Sequence, residues 1–541
     1  MCLPRILKFV SENPQVSVRE APGFLAAAWH DGPVNSDDVL PRFASASVTA
    51  ALQDTPVVVI QGARQVGKST LAGLLAATRP SVSVTMDDEQ SRLAAQHDPV
   101  SFLQQGGDRL LVIDEAQRAP ELILPLKAAV DRDRRPGRFL LTGSADLLRV
   151  RGVGDSLAGR AESVELLPLS QGEIRRRDTP EDFVAMILGG SWPAAGDPID
   201  LAGVVQGGYP EAIRRSEPRA GRWYDNYTAR LAEHDARELH QGGYADQVGH
   251  LMSLLAARGM AELVKARMAR ELTVSEATVD AYLRMMRTMR LTVELPAWGR
   301  SARSRVIRRS KVALTDTGLS ARLAGFSVAK ISAMGAREYA GSLVEQFVAL
   351  ELLKQRSWSR EVFSLAHFRD HDGLEVDVIV ELRDGRLIAI EVKSGQTITS
   401  RSWAGLARFR ERFPDREVIG VVLHGGSQVS HLFGWLHLLP ITSLWQHPSI
   451  EDSGQPAERV LGQADPQGVT VDERPLDRCD RQFLVVGVAQ RLARHEHRAR
   501  LDDIARDVRQ QIHDLAGLGA GPAHLELLMA EHSQPSGRAA G

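Results

Sequence analysis

The sequence predicts an α/β protein: a parallel sheet with helices on both faces, then helical segments, then a second, mixed α/β region. Three observations predict it. Apolar runs Pro56–Ile60, Val82–Met86, Leu110–Ile113, Phe139–Thr142 and Val164–Leu167 alternate with amphipathic stretches, as strands do when crossover helices cover both sheet faces. The first run leads directly into a glycine-bearing loop and a helix. From about residue 335 to 445 mixed α/β patterning returns, with carboxylates set inside the apolar runs.

Composition sets the outer bounds. The chain has 541 residues, enough for about three or four domains at roughly 150 residues each. Apolar residues make up 43% and charged residues 25%, a balance that can bury several cores. The formal net charge is −2, so any nucleic-acid contact must come from a local patch. Two cysteines, Cys2 and Cys479, exclude a disulfide framework and a four-cysteine zinc site. No apolar run approaches the ~18–20 residues of a membrane span. The stretch Met1–Gln15 is too briefly apolar, and broken by Lys8, for a signal peptide. The expectation is a cytoplasmic protein with no membrane partner.

Gly62-Ala63-Arg64-Gln65-Val66-Gly67-Lys68-Ser69 has the spacing G-x-x-x-x-G-K-[ST], between a predicted strand and the helix Ser69–Ala77. Glycines let main-chain N–H groups curl round phosphates at a helix N-terminus, where the dipole favours anions. Residues Gly62 to Thr70 are therefore the expected ATP cradle. Lys68 would reach the β- and γ-phosphates, and Ser69 would ligate Mg²⁺. The run Leu110–Ile113 ends in Asp114 and Glu115, at the strand end where open α/β sheets place ligands. Asp114 would hold Mg²⁺ through water and Glu115 would polarise the attacking water. Ser144, after the next strand, could sense the γ-phosphate or simply close a turn. Arg160 could reach a neighbouring subunit's phosphate in a homo-oligomer, or could be an ordinary surface arginine.

Gly62–Thr70, Asp114-Glu115-Ala116-Gln117, Leu141–Ala145, Ser156–Arg160 and Leu167–Ser170 together resemble the AAA-type ATP-binding proteins of bacteria and archaea that carry a C-terminal domain of unknown function with a nuclease-like core. The resemblance continues through Gly207–Glu211, Asp316–Leu319 and Glu375–Asp377, and covers about Leu40 to Trp445. It also implies a winged helix. On this reading the chain divides into an extension 1–38, an ATPase core 39–170, a helical lid 171–245, a winged-helix DNA-binding domain 246–325, a nuclease-like domain 335–445 and a polar extension 448–541.

Within 246–325 the pattern predicts a helix Ala261–Glu271, a turn, and a helix Glu276–Arg290 capped by Ser275. Leu291–Val293, a turn at Trp298–Ser301 and Val306–Leu314 would form a β-wing. Between 284 and 311, nine basic residues stand against Glu294 alone: Arg284, Arg287, Arg290, Arg300, Arg303, Arg305, Arg308, Arg309 and Lys311. The first three share a helical face. Such a face suits nucleic acid, DNA before RNA, or else pairs with acids on the ATPase.

The last constellation depends on register. In Glu375–Val380 and Leu387–Lys393, a two-residue turn would oppose Asp377 to Val392. A three-residue loop Arg383-Asp384-Gly385, with Gly385 left-handed, would instead pair Val376 with Val392, Val378 with Ile390 and Val380 with Ile388. The apolar face selects this register, which sets Asp377 beside Glu391 with Lys393 two residues on. That arrangement resembles the PD-(D/E)xK nucleases, with Val376 where a proline is usual. Asp377 and Glu391 would bind Mg²⁺, Glu345 would complete the metal shell, and Lys393 would orient water or stabilise charge. A cutting domain, a non-cutting nuclease-like binder and an ordinary hairpin with a Glu391–Lys393 ion pair all remain compatible with this pattern.

Overall fold

A computed structural model describes residues 39–144, 157–193, 195–232, 245–301 and 309–446. The extensions 1–38 and 448–541, Ala145 and Ser156 of the resembling motifs, and the basic residues Arg303, Arg305 and Arg308 lie outside them.

The first sheet is five-stranded and parallel, with strands β1 (Val57–Gln61), β2 (Ser81–Thr85), β3 (Leu110–Asp114), β4 (Phe139–Gly143) and β5 (Ala161–Glu165) in the order β2-β3-β4-β1-β5. Strand β1 lies between β4 and β5 and is wholly buried. Its side chains divide by parity. Val58 and Ile60 pack with Val112 and Leu140 on one face, in a core that runs on to Tyr209, Tyr224 and the helix Ala245–Arg258. Val57 and Val59 pack with Ile113, Leu141 and the helix Ile123–Arg132 on the other. Burying such a Val, Leu or Ile fully contributes about 1.5–3 kcal/mol each, so the faces fix strand order as well as stability.

Helices from 171 to 232 are shared between two cores. Phe183, Val184, Ile187, Val204 and Val205 pack into the core of the second sheet, while Ala212, Ala220, Tyr224 and Tyr227 join the first. The helix beginning at Gln171 is set by a capping box between Ser170 and Glu173.

The next region is a helix Ala245–Arg258, strand β6 (Ala261–Glu262), helices Lys265–Leu272 and Glu276–Thr288, then β7 (Thr292–Leu295) and β8 (Lys311–Leu314). The three strands form an antiparallel sheet ordered β6-β8-β7. Ser275 caps the second helix by accepting from Thr278 N–H, as expected. The helix expected over 261–271 starts only at Lys265. Gly259, at φ +57°, ends the preceding helix, and Ala261–Glu262 pair with Val312 and Lys311 instead. Tertiary pairing outweighs local helix preference there. The second helix stops at Thr288, and Arg290 takes the left-handed region at φ +59°. The expected turn at Trp298 is no exposed wing tip. Trp298 is fully buried against Phe368, Phe409 and Phe413, and its main-chain N–H donates to His367 O at 2.6 Å.

The second sheet has six strands, β9 (Phe363–Arg369), β10 (Glu375–Leu382), β11 (Leu387–Lys393), β12 (Val418–His424), β13 (Ser430–Leu432) and β14 (Leu436–Pro440), in the order β13-β14-β12-β11-β10-β9. The helix Arg337–Gln355 covers one face and Ala404–Arg412 the other. The β10–β11 hairpin has the expected register, Val378 opposite Ile390 and Val380 opposite Ile388. Its loop is Arg383–Gly385, closed by Leu382 N–H to Arg386 O, with Gly385 at φ +88°. Among the described residues no helix is long and apolar enough to cross a membrane.

Candidate functional site

The phosphate-binding loop lies between β1 and the helix Lys68–Ala77, at the strand ends where the sequence puts it. Gly62 must be glycine: a Cβ there would come within 2.2 Å of Leu166 O, where the chain leaving β5 presses on the loop. Gly67 caps the helix at φ +96°, and Gln65 is also left-handed at φ +63°. These two conformations turn successive main-chain N–H groups into an anion-binding concavity. Ala63 and Val66 are buried. Arg42 braces the loop, donating to Val66 O and Leu167 O at 2.6 Å each.

Lys68 is 4% exposed and its Nζ donates to Ala63 O at 2.9 Å. Burial pulls this ammonium below its ordinary value, opposed by the nearby Glu115 and Asp114 carboxylates. Ser69 Oγ donates to Asp114 Oδ1 at 2.8 Å, and the Thr142 hydroxyl donates to the same oxygen. Burial pushes the Asp114 carboxyl up, against those two hydrogen bonds. A buried acid paired only with hydroxyls, beside a buried ammonium, suits a cation ligated between triphosphate and protein. The loop, Lys68, Ser69 and Asp114 thus fit ATP with Mg²⁺.

Glu115 follows β3 in a left-handed conformation, φ +51°. Its N–H donates to Thr142 Oγ1 at 3.1 Å, and its carboxylate accepts from Gln117 Nε2. Gln117 also donates to Ser144 Oγ at 3.0 Å, which ties Ser144 to the Glu115 side chain. Gln117 carries no sequence signal beyond its nearness to Asp114-Glu115, and Thr142 none beyond its place with Ser144 at a strand end. Arg160 is held by Asp131 of its own chain at 2.6 Å. Arg290, expected on a nucleic-acid face, turns to the parallel sheet, pairing with Glu165 at 3.0 Å and donating to Gln61, the residue before the loop. Arg284 and Arg287 stay on the outer face, paired with Asp280 and Glu294.

The carboxylates of the second sheet do converge. Asp377 Oδ2 accepts from Val392 N–H at 2.8 Å, one residue from Glu391, and Lys393 Nζ donates to Glu391 Oε1 at 2.6 Å. Glu345 enters from the helix Arg337–Gln355. The unforeseen member is Lys311, counted in the sequence among the basic strip. It leads β8 into this cluster instead, 3% exposed, with Nζ 2.6 Å from Glu345, 3.0 Å from Glu375 and 4.0 Å from Asp377. Burial pushes Glu345 up to about 8 and Glu391 up to about 7, with repulsion from Asp377 adding to both. A divalent ion binds oxygens at about 2.0–2.6 Å, and a like-charged ammonium already holds two of these carboxylates. As placed, the residues do not fit a metal, and among the described residues no group of three or more His, Cys, Asp or Glu is arranged to hold one.

Fold and first site together define a P-loop nucleotide-binding chain of the AAA class. Family models agree: an AAA domain matches residues 54–175, a domain of unknown function (DUF8612) matches 202–330 and another (DUF4143) matches 340–444. The uncharacterized proteins Rv2008c of Mycobacterium tuberculosis and Mb2031c of Mycobacterium bovis are each 31% identical over 362 residues, 66% of this chain and 74% of theirs. The chain belongs to the family of these two mycobacterial proteins. Among solved structures, the Walker-type ATPase PABY2304 of Pyrococcus abyssi aligns at 15% identity and a TM-score of 0.34, over 55% of this chain and 99% of its own.

Proposed function

We propose that this chain is an ATP-hydrolysing switch that engages nucleic acid, with a nuclease-like domain that does not cut in the arrangement described. The observation that carries the reading is the loop Gly62–Ser69 joined through Ser69 Oγ to Asp114, with Glu115 one residue on. Main-chain N–H groups of the loop and the Lys68 ammonium would bind and orient the phosphates. Ser69 and Asp114 would hold Mg²⁺, which supplies charge neutralisation at the phosphates when bound. Glu115 would accept a proton from water, and Gln117 with Ser144 would fix its carboxylate.

Topology supports the nucleic-acid part. Helix, strand, two helices and two strands, with a three-stranded antiparallel sheet, is the order of a winged helix, and Arg284 on the second of those helices is 62% exposed. Phosphate release from ATP tests the first part: Lys68→Ala and Glu115→Gln should each lower turnover by about 100-fold or more. Turnover unchanged in both variants would overturn it. Anisotropy with a labelled DNA duplex tests the second, where log affinity should fall linearly with log salt. Incubating plasmid DNA with the chain and Mg²⁺ or Mn²⁺ tests the third. Any nicking lost in Asp377→Asn would reinstate a cutting domain.

A further inference from the structure

We infer that Lys311 is a built-in cation that takes the place of a divalent metal in the carboxylate cluster of the second sheet. The cluster is thereby an electrostatic latch between that sheet and the three-stranded one. The inference deepens the non-cutting reading above by naming what fills the site.

The argument starts from where Lys311 comes. Its strand β8 belongs to the other sheet, pairing with Glu262 and Leu295, yet its side chain crosses to Glu345 on the helix Arg337–Gln355 and to Glu375 on β10. Strand β8 is buried along its whole length, so the lysine's direction is fixed by both sheets. The second ammonium, Lys393, is committed to Glu391. Arg369 contributes a third positive group at 3.5 Å from Glu375. The acids that could ligate a metal thus each face a cation or a main-chain donor from this chain. Asp377, at 4.0 Å the farthest of the three acids that pair with Lys311, takes Val392 N–H.

Lys311 and a divalent ion compete for the same oxygens. Breaking a buried pair by removing one partner leaves uncompensated charge, and here Glu345 and Asp377 would lose the Lys311 ammonium while Glu375 kept Arg369. Removing the ammonium while keeping the aliphatic stem should therefore create a metal site.

Mn²⁺ alone is the probe, followed by electron paramagnetic resonance on the full chain without nucleotide. The unaltered chain and Asp377→Asn should bind Mn²⁺ identically, because the cluster contributes no site. Lys311→Met should gain a site at least roughly tenfold tighter, and Lys311→Met with Asp377→Asn should lose it. Near-ultraviolet circular dichroism checks that the variants fold. If Lys311→Met does not fold, the comparison of the unaltered chain with Asp377→Asn still decides. An Mn²⁺ site in the unaltered chain that disappears in Asp377→Asn overturns the inference, as does a folded Lys311→Met that gains nothing. These results are separable from cutting: a nicking assay reads the proposed function, whereas this one reads occupancy of the site.

Discussion

Glu181 shows how one buried residue sets a pH dependence. It is fully buried at the junction of the helices after residue 170 with the helix Arg337–Gln355. Burial first, with repulsion from Glu351 and Glu173 and against the Ser170 hydroxyl, pushes its carboxyl up to about 7. The folded chain therefore holds a proton between the ordinary value of 4.5 and 7 that the unfolded chain has released, and stability falls as pH rises through that window. The Gln variant cannot ionise. Glu181→Gln should melt higher than the unaltered chain at pH 8, by on the order of 3 kcal/mol, with the gap mostly closed by pH 5. Thermal unfolding at both pH values measures it, and a pH-independent gap would contradict the assignment. Lys68 and Ser69 are legible because phosphate binding fixes the spacing within the loop, and Asp114 because it ends an apolar strand. Lys311 could not be found that way: a lysine two residues after two arginines looks like one more surface charge until the strand's two pairings are known.

At the scale of elements, period and turn chemistry carried most of the information. The β10–β11 hairpin was legible because only one loop length puts Val378 and Val380 opposite Ile390 and Ile388, and Gly385 can take the φ of +88° that this loop demands. Ala261–Glu262 do not read as a strand, since two residues carry no period and only their pairing with β8 makes them one. The basic helix was half legible. Its i, i+3, i+6 spacing holds only as far as Thr288, and the left-handed Arg290 leaves the face. The expectation for nucleic acid follows this division. Replacing Arg284 and Arg287 together by Ala should lower the slope of log affinity against log salt by about 1–2, measured by anisotropy on a DNA duplex. An unchanged slope would assign those arginines to Asp280 and Glu294 alone.

At the scale of the whole molecule, the basic helix is joined to the nucleotide site by side chains. Arg290 reaches Gln61 and Glu165 at the end of the parallel sheet. Tyr227 Oη donates to Arg64 O in the loop at 3.2 Å and meets Tyr209 Oη at 3.1 Å. Asp316, just beyond β8, accepts from Gly208 N–H at 2.7 Å and from Tyr224 Oη at 2.9 Å. None of these pairings has a local sequence signal, because each joins residues about 18 to 229 positions apart. Arg290→Ala should weaken ATP binding by roughly 0.5–2 kcal/mol although Arg290 lies outside the loop; equal affinities in titration would show that the contact transmits nothing. The central claim is the triphosphate pocket itself. Isothermal titration of ATP with Mg²⁺ into the full chain should give one site per chain, abolished in a Lys68→Ala variant that remains folded. Absence of any nucleotide uptake by the folded, unaltered chain would contradict it.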